Sequence, residues 1–290
     1  MMKKRSRSRN SFSYRLIIAA LVFFAVLCVI PFWYVMVTSF SDPQLVKEGQ
    51  FRILPTGYSL QAYEMLFRDQ RFFSGLGITV FRTVVGTSLS VLVQTAMAYA
   101  LAKRFLPGQA LLTRLVVFTL LFNGGIIPNY LVIQKLHLLD TVWALILPMG
   151  FNPWNVMLLI SFFAALPASL EESAKIDGAN DLLIYSRIAI PLSLPAVATI
   201  LLFIAVRHWN ELMDGIIYIH ASNLKPMQVY LVELVMRTQM SSMIEPTEQN
   251  ITSVSMQTAV IFASCLPIII LYPFLQKYFV TGIMVGAVKG

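Results

Sequence analysis

A chain of 290 residues in which 57% are apolar and only 12% charged, with a mean hydropathy of +0.72, carries about half the charge of a soluble domain, which excludes the soluble globular class. The net charge of +8 does not point to nucleic acid, because the basic residues flank apolar runs instead of decorating a polar fold. Cys28 and Cys265 both fall inside apolar runs, so they read as packing residues, neither a disulfide framework nor a metal site.

In chain order, the basic tail M-M-K-K-R-S-R-S-R-N (1–15 with its continuation) leads into an uncharged run from Leu16 to Val37. That run is too long for a signal-peptide core and lacks a small-residue cleavage pattern after it, so it reads as a retained first span kinked at Pro31. Thr38 to Arg71 is a polar extramembrane loop with a surface helix expected at Leu60 to Phe67. The second span covers Phe72 to Ala102, and Arg82 near its outer end is expected to snorkel to the headgroups. Lys103-Arg104 marks the return to the inner face. A third span, Leu112 to Gln134, is interrupted by Asn123-Gly124-Gly125 and Pro128, and a short outer loop follows at Lys135, His137 and Asp140. The fourth, Thr141 to Leu166, is interrupted from Pro148 to Asn155. Freed backbone in mid-bilayer must face protein or water, so two broken spans point to a pathway.

Next comes a polar island, Leu170 to Pro195, whose acids Glu171, Glu172, Asp177 and Asp181 make it too costly to bury in hydrocarbon. Ser169 and Glu172 have capping-box spacing, which predicts a helix starting at Leu170, and Gly178 supplies the left-handed residue that ends it. Asn180 or Asp181 then caps a second short helix through Leu182, Leu183, Tyr185 and Ile188, expected to stop before Pro191. The product is a helix-bend-helix knob suited to docking, its apolar positions in a partner's cleft and its acids on basic residues there.

The fifth span, Leu192 to Asn210, is followed by a longer, more polar outer segment, Leu212 to Asn250. A sixth span at Ile251 to Gln276, with a kink at Leu271-Tyr272-Pro273, precedes a glycine-rich tail, Lys277 to Gly290. The chain thus reads as an all-α integral membrane protein of six transmembrane helices over 16–276, with flanking tails at 1–15 and 277–290. Thirteen lysines and arginines fall on the side of the N-terminus and the knob and seven on the other, which makes the knob side and both termini cytoplasmic.

Glu172-Ser173-Ala174, three residues to Gly178, nine more to Ile188, then Ala189, Ile190 and Pro191 resemble the EAA motif of permease subunits of bacterial ABC importers. Ser173 and Ile190 depart from its alanine and leucine, both conservatively. Ala98-Tyr99-Ala100-Leu101-Ala102 and the run from Tyr278 to Gly290 are similar to MalG-type carbohydrate permeases, and Asn123-Gly124-Gly125-Ile126-Ile127-Pro128 to their LplC/YtcP branch. The resemblance spans nearly the whole chain. It implies the six-helix, type I permease fold, with segment 168–191 as the coupling helix in a groove of a cytoplasmic ATPase. The coupling residues would be Glu171, Glu172, Ser173, Ala174, Asp177, Gly178, Ile188 and Pro191, and the tail residues Val288, Lys289 and Gly290 would also reach the ATPase. Implied partners are a second homologous permease, two copies of the ATPase, an extracellular solute-binding protein and an oligosaccharide. The bacterial cytoplasmic membrane is the implied location. The loop between spans five and six, with Glu233, Glu245 and Glu248 amid methionines, would reach the docked binding protein.

No catalytic constellation is visible. His137, His208 and His220 have no acid or cysteine at ligand spacing and read as interfacial hydrogen-bonding residues, so no metal is expected. Without a glycine-rich phosphate loop the chain binds no cofactor of its own, and ATP and Mg belong to the partner ATPase. Asn123, Asn129, Tyr130, Asn152, Trp154 and Asn155 in the broken spans are candidates to line the translocation path, or else satisfy backbone at the breaks and form an interfacial belt. A secondary transporter would place an ionisable residue in mid-membrane, and spans one, three, four and six hold none. An importer permease for a non-sugar solute remains the other reading.

Overall fold

The computed structural model describes residues 11–42, 45–46, 53–103, 105–244 and 254–270. Among them regular structure is helical, apart from an isolated bridge between Ser41 and Tyr58. Two compact units divide the chain, residues 1–69 with 233–265, and residues 70–232 with 266–290.

In the first unit, α1 (Ser11–Ser39) is apolar on every side and passes through Pro31 without ending. From Tyr14 to Trp33 its residues are all exposed, as suits a helix that faces lipid or another subunit. At its C-terminal end the polar residues Thr38, Ser39 and Ser41 are buried, and the Tyr63 hydroxyl, from α2 (Gln61–Arg68), donates to Ser39 Oγ at 2.8 Å. Phe40 packs against Tyr63 and Phe262, the latter from the helix α13 (Val254–Ile270). The described loop residues here include the expected surface helix, shifted by one residue.

The second unit is built on α3 (Gln70–Ala102), against which α6 (Pro153–Ala164) and α10 (Leu194–Asn210) pack. Its buried face is a stripe of small and polar residues, Gly75, Thr79, Arg82, Gly86, Ser90, Gln94 and Ala98, at three- and four-residue spacing. Its outer face carries Val80, Phe81, Val84, Leu92 and Val93. Lipid rewards apolar residues outside, and close helix approach rewards small ones inside, so the pattern of a soluble helix is inverted.

α4 (Gln109–Leu121) and α5 (Ile126–Lys135) meet at 116° across the Asn123-Gly124-Gly125 break, where Gly125 has φ +83°. Pro128 does not break the chain as expected. It lies in the first turn of α5, where a missing N–H costs nothing because that N–H would have no helical partner. The fourth span is bent by 48°, with 3-10 turns at Val142–Leu145 and Leu147–Met149 before α6. α7 (Ala168–Ile176), α8 (Asp181–Ile184) and α9 (Ile190–Leu192) form the polar island and turn by 85° into α10. The segment after α10 contains α11 (Met213–Tyr218), a 3-10 turn at Ser222–Leu224 and α12 (Met227–Ile244). The N-terminal decapeptide, the Leu271-Tyr272-Pro273 kink and the tail with Val288, Lys289 and Gly290 lie outside the described residues, as do Glu245 and Glu248.

Candidate functional site

The knob forms from local signals, with two corrections. Pro167, in the extended conformation, sits at the N-cap of α7, and no side chain caps that helix. The Ser169–Glu172 capping box is therefore not made. Proline presets its own backbone two residues earlier, and both motif residues are already inside the helix. At the other end the bend closes as expected. Gly178 has φ +81°, its N–H donates to Lys175 O at 3.0 Å, and Ala179 N–H donates to Ala174 O at 2.9 Å, the paired bonds of a Schellman end. Asn180 Oδ1 accepts from Leu183 N at 2.8 Å and caps α8. The second helix then runs past Pro191 instead of stopping before it. A π turn at Tyr185–Ala189, with Ile190 N–H donating to Tyr185 O, widens the helix ahead of the proline, and the chain breaks only at Ser193.

Side chains strap the knob to the C-terminal end of α3. The Glu171 carboxylate pairs with Lys103 Nζ, which stands 4.2 Å above the Tyr99 ring. Tyr99 packs on Phe163 and Tyr185, and the Tyr185 hydroxyl shares a 2.7 Å hydrogen bond with Thr95 Oγ1. Ile184 is fully buried in the same apolar cluster. Lys175 lies 3.3 Å from Asp181 and 4.8 Å above the Phe105 ring. Glu171 is thus engaged inside the chain, whereas Glu172 and Asp177 are exposed. Ile176 and Leu182 project from the knob, 86% and 72% exposed. Ser173 is exposed, Ala174 and Ile188 are half-buried, and Pro191 is exposed on α9. A mostly apolar cavity of about 450 Å³ lies between Tyr99, Lys103, Phe105, Leu182 and Tyr185.

The path residues do not converge on one place. Asn123 Oδ1 accepts from Gly125 N at 2.9 Å and serves the α4–α5 break, Asn129 is exposed on α5, and Tyr130 stacks on Tyr218. Asn152 caps α6 by accepting from Asn155 N at 3.2 Å, and both asparagines line a cavity of about 70 Å³ with Gln94, Arg207 and His208. Trp154 is exposed and stands outside that lining.

Arg82 overturns the snorkelling expectation. It is fully buried, donates to Glu211 O at 3.1 Å and to Met149 Sδ at 3.2 Å, and faces the Asp214 carboxylate at 3.8 Å. The physical reason is the stripe: Arg82 lies on the small, protein-facing side of α3, so its guanidinium meets α11 and the broken fourth span instead of headgroups. His208 is likewise buried instead of interfacial, its ring packed against Gly86, where an added Cβ would come within 2.6 Å. No signal in the separate stretches around Arg82, Met149 and Asp214 pairs them in advance. His220 lies in the loop after α11, its Nδ1 3.5 Å from Asp140, and no group of three or more metal-ligating side chains gathers among the described residues.

No protein-family model matches the chain. The polygalacturonan/rhamnogalacturonan transport system permease protein YtcP of Bacillus subtilis is 44% identical over 290 residues, covering 97% of this chain and 100% of that protein. Protein LplC of the same organism is 42% identical over 264 residues, 90% of each chain. One chain in the crystal structure of a bacterial ABC transporter involved in the import of the acidic polysaccharide alginate superposes with a TM-score of 0.84 at 31% identity, covering 96% of this chain and 100% of that one. A chain of the alginate ABC transporter in complex with an alginate pentasaccharide-bound periplasmic protein shares the fold alone, at 14% identity and a TM-score of 0.55 over 92% of this chain and 93% of that one. The long apolar helices, the inverted packing of α3 and this full-length similarity have one reading: the chain belongs to the carbohydrate ABC importer permeases, integral membrane transport subunits, in the branch of YtcP and LplC.

Proposed function

We propose that this permease crosses the cytoplasmic membrane six times and carries an oligosaccharide inward in an ATP-driven importer. The spans are α1, α3, the bent α4–α5 pair, the bent pair ending in α6, α10 and the segment containing α13. The knob is the coupling element, docked in a groove of a separate ATPase present in two copies, which uses ATP and Mg. A second, homologous permease and an extracellular solute-binding protein complete the importer, and both termini are cytoplasmic. Residues Val288, Lys289 and Gly290 reach the ATPase from the tail. The relatives that serve polygalacturonan, rhamnogalacturonan and alginate support a sugar polymer as the cargo.

The observation that carries this reading is the double character of the knob. Its inner face is strapped to α3 through Lys103–Glu171 and Tyr185–Thr95, while its outer face presents Ile176, Leu182, Glu172 and Asp177. A body so fixed transmits a push on its exposed face to α3 and α10 as a rigid lever. In proteoliposomes containing the whole importer, Gly178→Val is expected to leave the permeases assembled. It should cut ATP-driven oligosaccharide uptake about tenfold or more, because φ +81° costs an L-residue on the order of 1–2 kcal/mol and a β-branched one more. Gly178→Asn, which tolerates that conformation, should fall between. Uncompromised uptake by Gly178→Val overturns the assignment of the knob.

A further inference from the structure

We infer that Arg207, on the last turn of α10, is a specificity-determining residue that takes the carboxylate of an acidic sugar unit as the oligosaccharide enters the permease. The inference rests on the oligosaccharide reading above and names the chemical class of that cargo. α10 begins at Leu194 beside the knob and runs 17 residues, so Arg207 stands about 20 Å along the helix, in the outer part of the bilayer. A cation there is costly unless it meets an opposite charge or a water-filled space. The two arginines of this region answer that cost differently. Arg82 spends its guanidinium on Glu211, Met149 and Asp214. Arg207 is exposed, and although its carbonyl accepts from Glu211 N–H and the Asp214 carboxylate, which already faces Arg82, is near enough to attract it, its guanidinium makes no hydrogen bond or ion pair among the described residues.

Its surroundings say what it awaits. Arg207 borders the cavity of about 70 Å³ that Gln94, Asn152, Asn155 and His208 also line. Gln94 is fully buried, and its Nε2 donates to Gly150 O at 3.0 Å, which fixes the amide so that Oε1 is the atom left without a donor. A buried acceptor of this kind calls for a hydroxyl or N–H from an occupant. The site therefore asks for a negative group beside Arg207 and hydrogen-bond donors toward Gln94. A lipid phosphate diester or a carboxylate from a neighbouring subunit supplies the first and not the second. A uronate ring supplies both, its carboxylate in bidentate register with the guanidinium and its hydroxyls toward the amides. The cavity is too small for a whole ring, so it reads one edge of the passing chain.

The test uses the complete importer with its binding protein in ATP-loaded proteoliposomes, and two probes, trigalacturonate and its methyl ester, in which the carboxylates are masked. Arg207→Gln is expected to lower trigalacturonate uptake about tenfold, the scale of one charge-assisted hydrogen bond. It should leave ester uptake, basal ATPase activity and co-purification of the second permease unchanged, and Arg207→Lys should restore much of the loss. Uptake of trigalacturonate by Arg207→Gln at the wild-type rate overturns the inference. So does an equal loss for both probes, or loss of the second permease, since either marks Arg207 as structural. Wild-type import of the ester alone overturns the acidic specificity and leaves the oligosaccharide reading standing. Wild-type import of neither probe, nor of any other oligosaccharide, overturns that underlying reading itself.

Discussion

A single exposed residue shows how context decides what a charge does. Asp140 adopts φ +57°, a conformation that Asp and Asn tolerate better than most residues, and its Oδ1 accepts from the backbone N–H groups of His220 at 2.5 Å and Ala221 at 2.9 Å. These hydrogen bonds, that from Ala221 foremost, hold its carboxyl below the usual carboxylate range. The folded state then binds fewer protons than the unfolded one, so the stabilisation is present above that range and lost as pH falls through it. Hydrogen exchange should therefore find the His220 and Ala221 amides protected at neutral pH and progressively less so below about pH 4. In Asp140→Ala they should exchange freely at both. Asp140→Asn should give weaker protection without the pH dependence. Protection indifferent to pH in the wild type would exclude this latch.

Among elements, α3 carries the packing of the second unit, and its contact with α10 depends on Gly86. An added Cβ there would meet the His208 ring at 2.6 to 3.0 Å, with the ring itself fully buried. The ring is buried and borders no more than the small cavity of about 70 Å³, so Gly86→Val should act as an overpacking mutation, costing about 1–3 kcal/mol. A lowered unfolding temperature of the purified permease in detergent would show it, and His208→Ala in the same chain should return most of the loss. An unchanged unfolding temperature in Gly86→Val would mean that α3 and α10 do not approach this closely. The π turn at Tyr185–Ala189 plays the complementary part at the knob, letting a helix continue through Pro191 where an unmodified α-helix would break.

At the scale of the molecule, the proposed topology sets the knob and the outer loop on opposite sides of the membrane. Ser186 on the knob and Ser222 beyond α11 are both exposed. With Cys28 and Cys265 replaced by alanine, Ser186→Cys should react with a membrane-impermeant maleimide only from the cytoplasmic side, and Ser222→Cys only from outside. Labelling of both from one side would overturn the six-span arrangement.

Hydropathy and turn chemistry suffice to place the long apolar helices α1 and α3, the breaks at Asn123–Gly125 and before Pro153, and the bend at Gly178, because each is set by lipid solvation or by the φ of one residue. The knob's existence and its family resemblance come from the same local information. What the tertiary structure decided is which polar residue meets which. Arg82 and Arg207 look alike in sequence, each a lone cation in an apolar helix. The first turns onto the small-residue stripe of α3 and finds Asp214, some 130 positions away, while the second stands at a polar cavity, its nearby acid Asp214 already facing Arg82. Glu171 and Glu172 are adjacent acids, yet one is tied to Lys103 and the other is exposed, because successive helical residues point about 100° apart. Local signals carry φ and solvation. Pairing across distant stretches depends on which faces the packed helices bring together, and only the assembled helices determine that.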